Sequence, residues 1–242
     1  MFLSSKFKKN YLYAFLSISL FVQGKYFING EIDGLISIYF LTSLILTYEI
    51  IFNKHDQKKN IIIIFFNNII LSLLKFEGTV LVLLTCFMFF IRFIFRKKIN
   101  SKTLVLIMLS VVPSILWLLY SIKINNVYQL NDSSFGLENL IYRLNNFDNL
   151  MLIVSFFLSD EKFLLGILLF FVFFFKTNNK DLNYLTLTIL SLYFIILVMI
   201  YLSTNFDLSW HLQSSANRVI KPLTLSFIVI TLYNINLNKL KK

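Results

Sequence analysis

Residues 73–90 read LLKFEGTVLVLLTCFMFF. Apart from Lys75 and Glu77 the stretch is almost unbroken hydrocarbon, and the apolar run from 78 to 95 approaches the roughly 20 residues a helix needs to cross a bilayer. A carboxylate at the edge of such a run is costly unless it meets water, a cation or a partner. Lys75 is no ideal partner for it, because residues two apart on a continuous helix point away from each other. The glycine after the acid suggests a tight link in which backbone approaches another group closely.

Similar runs fill the chain. Of its 242 residues 57% are hydrophobic and only 14% charged, against about 45–50% and about 25% in soluble domains. That charge cannot cover a soluble surface of this size, so the composition predicts an all-α, polytopic transmembrane helix bundle, a single membrane domain over 1–242. Candidate spans are 11–23, 32–52, 61–75, 78–95, 103–122, 163–176, 182–202 and 222–236, about eight in all. The piece 149–159 is too short to cross alone and reads as half of a broken helix or an interfacial segment.

The net charge of +11 does not point to nucleic acid, since the basic residues sit in short clusters between apolar runs rather than on one soluble face. Most of the 23 lysines and arginines fall in the N-terminal tail, 53–60, 92–102, 176–181 and the C-terminal tail. By the positive-inside rule both termini are cytoplasmic, in a multi-pass protein of the cell (inner) membrane. The opposite side receives GKYFINGEIDG (24–34), KFEG (75–78), the stretch 123–162 and STNFDLSWHLQSSANRVIK (203–221). Binding or chemistry is therefore expected on the outer face. The single cysteine, Cys86, excludes an intrachain disulfide and a cysteine-built metal cluster.

Each charged group on that face has two readings. Glu77 holds a polar ligand or belongs to an ordinary helix–helix turn. Glu31 and Asp33 position sugar hydroxyls or a metal, or cap a helix start. Arg218 suits a phosphate, through bidentate guanidinium hydrogen bonds, or snorkels at the interface. Trp210 reads as an interfacial anchor, and His211 alone is no metal site. Pro222 marks a helix start. Within 137–150, Leu137, Leu140, Ile141, Leu144 and Phe147 recur at helical spacing and predict an amphipathic helix on the outer surface, shaping a groove or simply packing.

Three of these pieces, in this order, resemble the polytopic GT-C type glycosyltransferases, in the branch of the protein mannosyltransferases and the lipid A aminoarabinose transferase. NGEIDGLISIYFL resembles their segment gYADlplaly, with Asp33 at the acid. LLKFEGTVLVLL resembles ltKnEGllll, with Lys75, Glu77 and Gly78 matching. SWHLQSSANRVIKPL resembles a late segment, with Ser215, Arg218 and Pro222 at or near the pattern, and with Asn217 where an acid is common. The resemblance covers roughly 24–225. It implies transfer of a sugar from a polyprenyl-phosphate donor to an acceptor on the outer face. Arg218 would hold the donor phosphate, Asp33, Glu77, Glu31 and Lys75 would position substrate or a divalent cation, and His211, Ser215 and Asn217 would support them. The family's first external loop with its catalytic acid has no counterpart here, so the catalytic residue and any metal ligands are unassigned. The chain resembles the C-terminal portion of such an enzyme, which leaves an upstream-encoded N-terminal half as a partner beside the lipid-linked sugar and membrane lipids. A transporter or flippase of lipid-linked sugars and an inactive membrane fragment are the competing readings.

Overall fold

The computed structural model describes residues 32–52, 57–96, 99–123, 136–177 and 179–240. Among them are eleven helices: α1 Asp33–Phe52, α2 Gln57–Leu74, α3 Phe76–Arg96, α4 Ser101–Leu109, α5 Val112–Lys123, α6 Leu137–Leu144, α7 Phe147–Leu158, α8 Glu161–Phe174, α9 Lys180–Ser203, α10 Leu208–Val219 and α11 Lys221–Leu240. No strand occurs among the described residues. The expected all-helical architecture is therefore present. Four stretches, Asp33–Phe52, Phe76–Phe95, Ser101–Tyr120 and Lys180–Ser203, are long and apolar enough to cross a membrane.

The expected spans at 61–75, 163–176 and 222–236 correspond to α2, α8 and α11, which are helical but do not meet that measure of length and apolarity. α8 has 14 residues and reaches only about 21 Å at 1.5 Å per residue, short of a hydrocarbon core of about 30 Å. α2 begins with Lys58 and Lys59 and carries Asn67 and Asn68 in its interior. The expected span at 11–23 lies outside the described residues.

Pro113 divides the span expected at 103–122. It has no N–H to donate and disfavours helical backbone in the residue before it. α4 accordingly ends at Leu109 and α5 starts at Val112. In the break the Ser110 hydroxyl donates to the Ile107 carbonyl at 2.6 Å and the Val111 N–H to the Met108 carbonyl at 3.2 Å. The amphipathic segment expected over 137–150 is likewise two helices. Asn146 caps the second, its side chain accepting from the Asp148 N–H at 3.0 Å.

α1 is apolar on all sides and lies at the centre, against α2, α3, α9 and α11, as expected of a helix without a polar face. Polar side chains fasten it to α2. Asn67 Nδ2 donates to the Tyr39 carbonyl at 2.8 Å and to Ser43 Oγ at 2.7 Å, and Ser43 Oγ donates to Asn68 Oδ1 at 2.6 Å. Interhelical hydrogen bonds of this kind hold helices together where both are too apolar for burial to discriminate. α8 meets α11 closely at Gly166, whose missing Cβ would lie 3.4 Å from the Thr224 carbonyl oxygen and from Phe227 Cβ. Phe163 and Phe170 pack around Phe227 beside it, with ring centroids 6.2 and 5.1 Å away.

The starts of α1, α3, α8 and α11 and the ends of α2 and α10 meet at one end of the bundle, beside the middle of α9 at Tyr193, and are joined by Lys75–Asp33 and Lys221–Asp160 ion pairs. α7 starts beside α6, which is tied to the last turn of α9, and ends at Ser159 next to Asp160, so it does not cross the bundle. Lys58, Lys59, Arg92, Lys102, Lys176 and Lys180 lie toward the opposite ends of these helices.

Candidate functional site

At the end where these helix termini meet, Asp33, Glu77 and Arg218 line one pocket, together with Ile36, Tyr193, Val219 and Pro222. The three charged residues are far apart in sequence and are brought together by three helix ends. Asp33 and Glu77 occupy the first turns of α1 and α3, where the dipole favours an acid. Arg218 occupies the last turn of α10, where the dipole favours a base.

Lys75 is the single residue between α2 and α3, and it answers the carboxylate across the bundle rather than the one beside it. Its Nζ lies 2.7 Å from Asp33 Oδ1. Asp33 is buried, and its second oxygen, Oδ2, has no hydrogen-bond partner. Among the described residues Glu77 makes no ion pair, although its side chain is only half-buried. The Nε of Arg218 is buried without a partner. One pocket therefore carries one buried unsatisfied acceptor, Asp33 Oδ2, and one buried unsatisfied donor, Arg218 Nε. Unpaired polar atoms in a buried place are expensive, so they mark a site completed by water, an ion or a ligand. The volume open to the centre of a water molecule is about 10 Å³, room for about one water. Any larger group requires Arg218 or Glu77 to move, and both are partly exposed at helix ends.

The turn that presents Glu77 depends on Gly78. A Cβ there would run into the carbonyl of Leu71 on α2, so only glycine permits this approach of α3 to α2. Thr79 Oγ1 donates to the Ser72 carbonyl at 2.9 Å across the same junction.

The supporting residues expected on the late segment do not line the pocket. Asn217 is exposed. Ser215 is engaged within the fold, its Oγ donating to the His211 carbonyl and meeting Tyr201 Oη, each at 2.7 Å. His211 packs against Tyr201 with ring centroids 4.8 Å apart. Burial, with Arg143 and Arg218 nearby, holds the imidazole below its ordinary pKa and keeps the ring neutral. Glu31 lies outside the described residues. No group of three or more His, Cys, Asp or Glu that could hold a metal occurs among the described residues.

Three further residues were assigned no role in the site from the sequence. Tyr193, in the middle of α9, is buried, lines the pocket and donates to the Val219 carbonyl at 3.2 Å, bracing the end of α10. Asp160 caps α8 by accepting from the Phe163 N–H at 2.9 Å and binds Lys221 at 2.7 Å. Burial raises the pKa of its carboxyl, but Lys221 and the Phe163 N–H outweigh this and hold it below the usual range. Arg143 on α6 donates to the carbonyls of Tyr201 at 3.0 Å and Phe206 at 2.8 Å, anchoring the loop that leads into α10. A tyrosine inside an apolar run carries no local signal, whereas the acid before α8 and the lysine before Pro222 were visible as charges at helix starts. Comparison with protein-family models, with curated proteins and with solved structures finds no match to this chain.

Proposed function

We propose that the chain acts on a phosphate-linked lipid sugar at the end of the bundle that carries the pocket, as a glycosyltransferase of the GT-C type or as its C-terminal part. The single observation that carries this reading is the convergence of Asp33, Glu77 and Arg218, from three separate segments, on one pocket. In this reading both termini are cytoplasmic and the pocket opens on the outer face of the inner membrane, because the basic connections lie at the opposite ends of the helices.

Arg218 binds the phosphate of a polyprenyl-phosphate donor and stabilises the charge that grows on it as the bond to the anomeric carbon breaks. Asp33, held by Lys75, and Glu77 bind sugar hydroxyls or a divalent cation. An acceptor hydroxyl attacks the anomeric carbon and polyprenyl phosphate leaves. The base that takes the hydroxyl proton is not assigned among the described residues.

The test is transfer of radiolabelled sugar from a polyprenyl-phosphate donor by the full chain in liposomes, with and without the product of the upstream reading frame. Activity that falls at least ~100-fold in R218A, as expected when a transition-state charge contact is removed, supports the reading. Failure to bind donor under both conditions overturns it. A second reading, movement of a lipid-linked sugar across the membrane, is favoured by the polar Ser43–Asn67–Asn68 cluster inside the bundle and by the helix break before Pro113. Counterflow of labelled lipid without bond cleavage distinguishes it.

A further inference from the structure

α6 is an eight-residue helix whose three faces meet three different surroundings. One face is polar and turned inward. Asn139 Nδ2 donates to Asn205 Oδ1 at 2.7 Å, and Arg143 donates to the Tyr201 and Phe206 carbonyls. The Gly136 N–H, just before the helix, donates to the Ser203 carbonyl at 2.9 Å. α6 is thus tied along its length to the last turn of α9 and the loop after it. The second face, Leu137, Ile141 and Leu144, is apolar and exposed, Leu137 by 75% and Ile141 by 61%. The third carries Glu138 and Tyr142, also exposed.

Leu140 alone of the apolar residues of α6 packs against the core; otherwise the arrangement is the reverse of a soluble surface helix, which buries its apolar stripe and shows its polar one. The apolar face continues onto α7 as an exposed stripe, Phe147, Met151 and Leu158, at the spacing of one helix face. Phe206 and Trp210, both exposed, pack as a tilted pair at the same end with centroids 5.4 Å apart, and such aromatic side chains are enriched at the level of lipid headgroups. The exposed sides of the apolar stretches Phe76–Phe95 and Ser101–Tyr120 show the same kind of side chain, including Phe87, Ile94, Leu116 and Trp117. A lipid leaflet covers such a surface without any further recognition.

We propose that α6 lies in the lipid leaflet at the pocket end of the bundle, Leu137, Ile141 and Leu144 immersed, Arg143 and Asn139 holding it to α9, and Glu138 facing water. The partner is the lipid surface itself, at the shallow depth of an interfacial helix. The claim does not depend on sugar transfer, and either can fail without the other.

The experiment uses the full chain with Cys86 replaced by alanine, reconstituted into phosphatidylcholine liposomes. An environment-sensitive fluorophore is placed in turn at I141C, L137C and E138C. At positions 141 and 137 the expected result is blue-shifted emission, several-fold stronger quenching by a nitroxide near the lipid headgroup than by aqueous iodide, and weaker quenching by a nitroxide deep in the acyl chains. At position 138 iodide is expected to quench most. Iodide quenching at 141 and 137 equal to that at 138 would place the face in water and overturn the proposal. Protection from both iodide and nitroxide lipids would show a protein cover and overturn it too. Two labelled positions guard against one variant that fails to fold.

Discussion

Lys221 Nζ lies 2.7 Å from Asp160 Oδ2, with both side chains at least nine-tenths buried. The pair closes the start of α11 onto the start of α8, three residues from the arginine that lines the pocket. Removing one member of a buried pair strands the other charge, at a cost of about 3–5 kcal/mol. D160N is therefore expected to lower the melting temperature in detergent strongly. K221M is expected to do so less, because Asp160 keeps the Phe163 N–H and the α8 dipole. The double variant should recover part of the loss, a coupling of about 1–3 kcal/mol. Additive losses would show that the contact contributes nothing as a pair. Since the carboxyl of Asp160 is held below its usual pKa, the stabilisation is present in full above the unfolded value of 3.8. It is lost only as pH falls through the lower folded value.

Lys75 and Asp33 form a weaker version of the same contact, because the lysine side chain is 32% exposed. K75M is expected to cost only about 1 kcal/mol of stability, given solvent screening. Under the proposed function its effect on donor binding is larger, since Asp33 then has both oxygens free to turn away from the pocket. The check is a thermal melt beside a donor-binding isotherm for the same preparation. Equal, small changes in both would show that Lys75 only decorates the turn.

How much of this was legible in the sequence differs residue by residue. Glu77 and Gly78 announced a tight, charged turn in an apolar setting, and the turn is there. Counting lysines and arginines between apolar runs gives one expected side for Asp33, Glu77 and Arg218, the family resemblance implies a shared cavity, and the three residues do line one pocket. The partner of Lys75 was not legible, because it is set by packing of α1 against the α2–α3 turn and not by spacing along one helix. The break at Ser110–Val111 could have been read from Pro113, but the hydropathy of 103–122 is uniform and hides it. The split at Asn145–Asn146 was signalled by two adjacent asparagines, which cap and terminate helices more readily than they continue them.

Gly78 offers a sharp steric test. An alanine Cβ would collide with the Leu71 carbonyl, a backbone atom that cannot rotate aside. G78A is therefore expected to push α3 from α2 and to destabilise by about 1–3 kcal/mol or more. The Thr79–Ser72 hydrogen bond would be lost with it. A melting temperature unchanged from that of the parent chain would mean that the α2–α3 junction is looser than described.

His211 should make the pocket end sensitive to mild acid. Tyr201 and Phe206 pack against its ring, and the charges that act on it are Arg143 and Arg218, both repelling a second positive charge. Burial adds to the same effect, and Nδ1 has no partner in the fold. The folded pKa therefore lies below the ordinary value of 6.5, so between the two values the unfolded chain binds more protons than the folded one. Stability then rises with pH through that window and falls as the pH drops below about 6.5. Melting curves from pH 8 to pH 5.5 should show this decline. H211F, which keeps an aromatic ring against Tyr201 and cannot be protonated, should flatten it. A decline of equal size in H211F would assign the acid sensitivity to another group and leave His211 as packing alone.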